Sequence, residues 1–141
     1  MQHAPGSARR RIQVVAAALY DARGQVLISQ RPPGRHLAGR WEFPGGKRDA
    51  GESAGAALKR ELREELGVEV LASRPVLELL HAYPDRDVEL SLWIVERYAG
   101  TPRGLEGQRL KWVEPAALGA EDLLEADRPF VEALRQRADA S

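Results

Sequence analysis

The 141-residue chain contains no cysteine, and this absence excludes disulfide bonds, thiolate metal sites and a cysteine nucleophile together. It also lacks an apolar run approaching the roughly 20 residues that cross a bilayer. The chain also has no net charge, because 21 Lys and Arg residues balance 21 Asp and Glu residues. A non-specific nucleic-acid binder needs positive charge to displace counterions from phosphate. We therefore predict a cytoplasmic protein with no membrane partner and no nucleic-acid polymer as partner.

Length and composition predict one globular domain. Hydrophobic residues make up 43% of the chain and charged residues 30%, which is typical of soluble domains. Residues 1–10 are mostly polar and predict a flexible N-terminal tail, so we assign residues 11–138 to a single domain. Arg9–Arg11 ahead of an apolar stretch loosely resembles a signal peptide. That stretch runs into a strand–turn–strand pattern, which favours the domain.

Strand and helix patterns alternate along the domain. Strands are predicted at 12–20, 25–30, 41–43, 76–83, 88–98 and 110–113, and helices at 54–66, 115–118 and 127–137. The helix at 54–66 has the strongest pattern, with Ser53 as a candidate N-cap and Gly67 as its end. Helices mixed with antiparallel hairpins predict a layered α/β fold.

The helix at 54–66 divides its side chains among three faces. The apolar face carries Leu58, Leu62 and Leu66, the basic face Lys59, Arg60 and Arg63, and the acidic face Glu61, Glu64 and Glu65. Clustered carboxylates repel one another, and hard divalent cations favour such clusters. Taken alone, the acidic face is better explained as a solvated surface balanced by an Arg60–Glu64 pair.

The segment before this helix favours a phosphate and metal site. Gly45 and Gly46 allow the backbone to approach a ligand closely, and Lys47 beside them can meet phosphate oxygens. Glu52 lies at the entrance of the helix. A turn, a basic residue and an acidic helix face together suit a phosphate chain held through a cation.

These residues stand at a spacing that resembles the Nudix box. Gly46 and Glu52 precede the run Arg60-Glu61-Leu62-Arg63-Glu64-Glu65-Leu66-Gly67-Val68, and every specified position of the box is matched. Similarity to the MutT-type branch of the family extends to 30–31, 41–47, 84–86, 95–97 and 106–108. The resemblance implies an α/β/α sandwich with a mixed central sheet, in which the catalytic helix follows a Gly-Gly-Lys loop.

The resemblance also implies a reaction and its ligands. Nudix enzymes hydrolyse nucleoside diphosphates linked to another group, using Mg²⁺ with Mn²⁺ as the alternative. In the MutT-type branch, water attacks the β-phosphorus of a nucleoside triphosphate and releases the monophosphate and pyrophosphate. The implied metal ligands are the carbonyl of Gly45 and the side chains of Glu61, Glu64, Glu65 and Glu106. Arg60 would orient a carboxylate, Glu52 would brace the loop, and the general base would be Glu61 or, as the alternative, Glu106.

Substrate contacts follow from the same resemblance. The implied residues are Arg31, His36, Glu42, Phe43, Pro44, Gly45, Lys47, Tyr83 and Asp127. Taken alone, His36 is better explained as an ordinary surface-loop histidine. Trp41 is better explained by core packing than by contact with the base, whereas for Phe43 and Tyr83 the two explanations are equally good. Core packing is expected for Trp93 and Trp112.

Asp127 bears on which base is recognised. MutT proteins that remove 8-oxo-dGTP carry asparagine at this place, which both donates and accepts, whereas ionised aspartate only accepts. Relatives that hydrolyse cytidine triphosphate also show an Ala-Asp pair here. Asp127 is equally explained as the cap of the following helix.

The resulting prediction is a monomeric or weakly dimeric Nudix enzyme that hydrolyses 8-oxo-dGTP and related nucleoside triphosphates, for nucleotide-pool sanitisation and mutation avoidance. The alternative is a pyrophosphohydrolase of (d)CTP or 5-substituted dCTP. A substrate such as ADP-ribose or a dinucleoside polyphosphate is less favoured, because the similarity outside the box is to the MutT-type branch. A non-catalytic nucleotide-binding domain is also less favoured, because all the box carboxylates are present.

Overall fold

Residues 10–140 are described by the computed structural model of the chain. The predicted tail lies outside the described residues, apart from Arg10, which begins the first strand. The strands are β1 (Arg10–Leu19), β2 (Val26–Gln30), β3 (Trp41–Glu42), β4 (Gly45–Lys47), β5 (Glu69–Ala82), β6 (Arg86–Ala99) and β7 (Leu110–Val113). The helices are α1 (Ala54–Leu66) and α2 (Arg128–Ala140), with 3₁₀ turns at Pro115–Ala120 and Glu125–Asp127.

The strands form two sheets. The larger has the order β4-β1-β6-β5, and the smaller has the order β3-β2-β7. β1 runs parallel to β6, whereas β4 and β5 lie antiparallel to their neighbours. The sheet is therefore mixed, as predicted.

β1 lies at the centre of the fold and buries both of its faces. Val15, Ala17 and Leu19 pack with the apolar face of α1. Ala16 and Ala18 belong to the opposite cluster, which contains α2 residues such as Phe130. Because strand side chains alternate between faces, an uninterrupted apolar run is what a strand buried on both sides requires. The predicted layered sandwich is confirmed.

α1 begins and ends where its capping residues predict. Ser53 Oγ accepts a hydrogen bond of 3.1 Å from the Ala56 N–H, and Gly67 adopts a left-handed conformation with φ of 72°. Leu58, Leu62 and Leu66 are fully buried. Their burial fixes the rotation of the helix, and this turns its acidic and basic faces away from the core.

Two segments differ from their predicted form. Gly45–Lys47, predicted as a loop, is a short strand because it pairs with β1 at Val14–Ala16. β5 begins at Glu69 rather than at 76, since its pairing with β6 continues through bulges at 70–77. Pro75 is tolerated because β5 is an edge strand and needs no backbone N–H there. In the described part of the chain, no helix is long and apolar enough to span a membrane.

Candidate active site

Arg60 is the centre of a cluster of charged side chains at the start of α1. Its guanidinium binds Glu52 in a bidentate arrangement, with Nε–Oε2 and Nη2–Oε1 distances of 2.8 and 2.9 Å. Its Nη1 donates to Oε1 of Glu61 at 2.9 Å and to Oε1 of Glu64 at 3.2 Å. We call Arg60, Glu52, Glu61 and Glu64 the Arg60 cluster. Arg60 therefore donates hydrogen bonds to three carboxylates, and its role in orienting one of them for catalysis stays a prediction.

Glu52 fastens the 48–53 loop to the helix. Its Oε1 also accepts from the Asp49 N–H at 2.9 Å, and its own carbonyl accepts two hydrogen bonds from Arg48. Hydrogen bonds from the Arg60 guanidinium, and then from the Asp49 backbone, lower the pKa of Glu52 to about 2. Glu52 is therefore ionised throughout the neutral range, and the bracing role expected of it stays a prediction.

Gly46 is required by the position of Glu61. A Cβ at Gly46 would lie 2.2 Å from Glu61 Oε2. A Cβ at Gly45 would lie 1.9 Å from the carbonyl oxygen of Val15. The two glycines therefore bring β4 against both β1 and the acidic face of α1.

Glu65 lies behind the Arg60 cluster in a different environment. Its Oε2 is buried and has no hydrogen-bond partner in the described part of the chain. Burial first, and then the neighbouring Glu61 carboxylate, raise the pKa of Glu65 to about 9, with smaller contributions from Glu106 and Glu42. A buried carboxyl group with an unpartnered oxygen is costly unless a cation or proton compensates it.

The 100–109 loop brings Glu106 towards Glu65. The Leu105 N–H and the Gln108 side-chain amide both donate to the Glu65 carbonyl, at 3.0 and 3.1 Å. Glu106 itself is exposed. Gln108 therefore has a positioning role that the sequence did not reveal, because its partner lies 43 residues away.

The donor set fits a hard divalent cation, since Glu61, Glu64, Glu65 and Glu106 all offer carboxylate oxygens. The unpartnered Glu65 Oε2 offers one oxygen that no described group already uses. Within residues 10–140, no three Asp, Glu or His side chains already stand together as a metal-binding group. Arg60 instead contacts the Oε1 atoms of Glu61 and Glu64.

A second group of predicted residues lies around β3. Arg31 Nη1 forms an ion pair with Glu42 Oε1 at 3.0 Å, and Arg31 Nε donates to the His36 carbonyl at 2.7 Å. Burial raises the pKa of Glu42, and Arg31 opposes the shift. The His36 side chain is exposed, so only its carbonyl joins this group.

Asp127, which directly precedes α2, contacts the turn that follows β3. Its Oδ2 accepts from the Phe43 N–H at 3.1 Å. The residue is 5% exposed, and burial raises its pKa to about 7 despite this hydrogen bond. The carboxylate therefore holds the Phe43 backbone rather than capping α2.

The aromatic residues divide between the two hydrophobic clusters of the fold. Phe43 is buried and packs on Phe130 with ring centroids 6.2 Å apart, while Trp41 and Tyr83 are half-buried against the same core cluster. Trp93 and Trp112 are half-buried against the α1 side. Pro44 is buried and its carbonyl accepts from the Ala17 N–H.

The Lys47 side chain points away from the acidic face of α1, although the sequence analysis grouped the two in one phosphate and metal site. Because Gly46 faces Glu61, alternation along β4 directs the Lys47 side chain to the other face. Its carbonyl, however, accepts from Arg60 Nη2 at 2.9 Å.

Residues 9–134 match the NUDIX domain family. The chain belongs to the Nudix family. It is 33% identical over 127 residues to the 8-oxo-dGTP diphosphatase of Escherichia coli, which covers 90% of this chain and 98% of that protein. It is 40% identical over 119 residues to the CTP pyrophosphohydrolase of the same organism, covering 84% and 88% of the two chains.

Solved Nudix structures share the fold. A MutT structure from work on Aliivibrio salmonicida and Vibrio cholerae superimposes with a TM-score of 0.80 at 32% identity, covering 91% of this chain and 99% of that one. Nudix hydrolases act on phosphoric anhydrides and generally use divalent metal ions. The predicted family and enzyme class are confirmed.

Proposed function

We propose that this Nudix protein is a Mg²⁺-dependent nucleoside triphosphate pyrophosphohydrolase whose substrate is 8-oxo-dGTP. The observation that carries the proposal is the charge arrangement on α1. Arg60 neutralises Glu52 and reaches Glu61 and Glu64, while Glu65 presents a buried oxygen without a partner. This arrangement suits a cation that in turn attracts a phosphate chain. The 8-oxo-dGTP diphosphatase named above supports the choice of substrate.

The residues of α1 have separate roles in this proposal. Glu61, Glu64 and Glu65, with the Gly45 carbonyl and Glu106, would hold the cation. Once bound, such a cation neutralises phosphate oxygens and acidifies the attacking water.

Side chains of α1 and of the loop before it would position the groups around that water. Arg60 holds the Glu61 and Glu64 carboxylates, and Glu52 holds Arg60. Glu61 is the proposed general base, because Arg60 fixes one of its oxygens and leaves the other facing Gly46. Glu106 is the alternative base, since its loop approaches Glu65.

The nucleoside would lie against the turn after β3. The proposed contacts are Arg31, His36 through its carbonyl, Glu42, Phe43, Pro44, Gly45, Lys47, Tyr83 and Asp127. Near pH 7, Asp127 populates both an accepting carboxylate and a donating acid, because its pKa is about 7. The acid form can supply the donor that asparagine supplies in MutT proteins of 8-oxo-dGTP specificity.

A second candidate substrate is (d)CTP or a 5-substituted dCTP. It is favoured by the ionised form of Asp127, which accepts from an exocyclic amino group. The CTP pyrophosphohydrolase at 40% identity supports this alternative.

A panel of 8-oxo-dGTP, dGTP, dCTP and CTP tests both candidates by their kcat/KM values. Pyrophosphate and orthophosphate are measured separately. We expect pyrophosphate release with 8-oxo-dGTP as the preferred substrate. Orthophosphate as the only inorganic product would contradict attack at the β-phosphorus, and preference for dCTP would replace the substrate.

Glu64→Gln supplies the test of the site. Its side chain is 55% exposed, so the fold should be retained while kcat falls by orders of magnitude. Glu132→Gln, on exposed α2 surface, is the matched control. Full activity in Glu64→Gln would contradict its role as a metal ligand.

The cellular setting follows from this activity. We propose nucleotide-pool sanitisation by a cytoplasmic monomer or weak homodimer, acting on free nucleotides and not on nucleic-acid polymers.

A further inference from the structure

A groove of about 340 Å³ lies at the N-terminal end of β1. β1 pairs with β4 only at Val14–Ala16, so its first residues extend beyond their neighbour on that side. The 48–51 segment faces this open edge, and the Arg48 N–H donates to the Gln13 carbonyl where the two diverge. The groove is therefore built by the backbone, because β4 ends while β1 continues along β6.

The lining of this groove is strongly basic. Arg10, Arg11, Lys47 and Arg48 contribute four positive charges, and Asp49 contributes the acidic one. We call these four cationic residues and the space between them the basic groove. Although the whole chain has no net charge, this local excess of three positive charges produces a positive electrostatic potential in the groove.

Two of the four cations are not neutralised by nearby carboxylates. Among residues 10–140, neither Arg10 nor Lys47 forms an ion pair with a carboxylate. Arg11 pairs with Glu89 at 3.4 Å, but its side chain is 61% exposed, so that pair is weak. Arg48 donates to the Glu52 carbonyl, which carries no formal charge.

Alternation along the strands explains why these cations gather. Lys47 lies opposite Val14 in the β1–β4 register, so its side chain shares a face with the even-numbered residues of β1, including Arg10. Arg48 and Arg11 approach from the other face. The groove is thus bordered by cations on both faces of the sheet edge.

We infer that the basic groove is a second oxyanion site, which binds a ligand carrying two or more linked phosphates. A single phosphate would engage only part of a 340 Å³ groove, whereas a diphosphate can reach cations on both sides. The groove adjoins the Arg60 cluster, since Asp49 lies 3.6 Å from Arg60, and it shares Lys47 with the proposed substrate contacts. Its other cations, Arg10 and Arg11, belong to the end of β1 and are not part of that proposed site. The groove requires neither a divalent cation nor a nucleoside base.

The experiment uses the full chain with EDTA, without nucleotide, and titrates inorganic pyrophosphate by calorimetry and by ¹H–¹⁵N NMR. The test variant is Arg10→Gln/Arg11→Gln. The matched control is Arg97→Gln/Arg135→Gln, which removes the same charge from exposed positions on β6 and α2. We expect the dissociation constant to rise about tenfold or more in the test variant, since each lost charged hydrogen bond weakens binding appreciably.

The control should stay within about twofold of the wild-type value, and wild-type amide shifts should concentrate at 10–13 and 47–51. Equal weakening in both double variants would overturn the site, because net charge alone would then explain binding. Shifts centred on Glu61–Glu65 would also overturn it. Because the assay contains neither nucleotide nor divalent cation, its outcome is independent of whether the proposed hydrolysis is correct.

Discussion

Replacing Asp127 by asparagine should change how the free energy of unfolding depends on pH. Asp127 is 5% exposed, and its Oδ2 accepts the Phe43 N–H. Asparagine has nearly the same shape and can accept the same hydrogen bond, but it does not titrate. The substitution therefore isolates the electrostatic cost of the buried carboxylate.

The direction of this pH dependence follows from the raised pKa of Asp127. Burial lifts the pKa of Asp127 from 3.8 to about 7, so the folded protein holds this proton more tightly than the unfolded chain. The contribution of Asp127 to stability is complete below about pH 4 and is lost as the pH rises through 7. The loss amounts to about 4 kcal/mol over the full range, and somewhat more than half of it falls between pH 5 and pH 8.

Urea unfolding followed by tryptophan fluorescence at pH 5, 6, 7 and 8, with EDTA present, measures this loss. Groups that do not interact with Asp127 titrate equally in both proteins, so the difference between wild type and Asp127→Asn reports the titration of Asp127 together with its coupling to Glu42. We expect the wild-type free energy of unfolding to fall by roughly 2 to 3 kcal/mol more than that of the variant. Parallel pH profiles would refute the claim that burial raises the pKa of Asp127.

Three further substitutions test the site. Gly46→Ala should displace the Glu61 carboxylate and lower kcat sharply, whereas Gly119→Ala, where a Cβ meets nothing within 4 Å, should keep full kcat; equal rates would contradict the close approach. Glu52→Gln should lower kcat through Arg60 without changing the circular dichroism spectrum, and an unchanged kcat would leave Glu52 without a bracing role. Glu65→Gln should weaken Mn²⁺ binding measured by electron paramagnetic resonance, and wild-type affinity would remove Glu65 from the ligand set.

Local sequence was enough to predict the bounds of α1. Ser53 and Gly67 satisfy backbone groups that any helix leaves unpaired at its ends. Ser53 does so three residues from its partner, and Gly67 adopts the left-handed conformation that ends the helix. The leucine spacing of α1 likewise predicted its buried face. Local hydrogen bonding and side-chain period suffice for such features.

Local sequence also predicted the central strand but not its neighbours. The apolar run in β1 indicates burial on both faces, yet it does not tell which strands flank it. The Gly45–Lys47 strand exists because β1 supplies its hydrogen-bond partners. Pairing across the chain is a property of the folded sheet, so a pattern of three residues could not reveal it.

The sequence by itself determined the family, the reaction class and the presence of an acidic helix face, because spacing along one helix fixes which side chains are neighbours. Only the tertiary structure decided their electrostatic states. It bound Glu52 to Arg60 and lowered the pKa of that carboxyl, and it buried Oε2 of Glu65 without a hydrogen-bond partner among the described residues. It joined Asp127 to Phe43 across 84 residues and turned Lys47 away from Glu61. Charge, burial and hydrogen bonding depend on distances through space, and those distances exist only once the sheets and helices have packed.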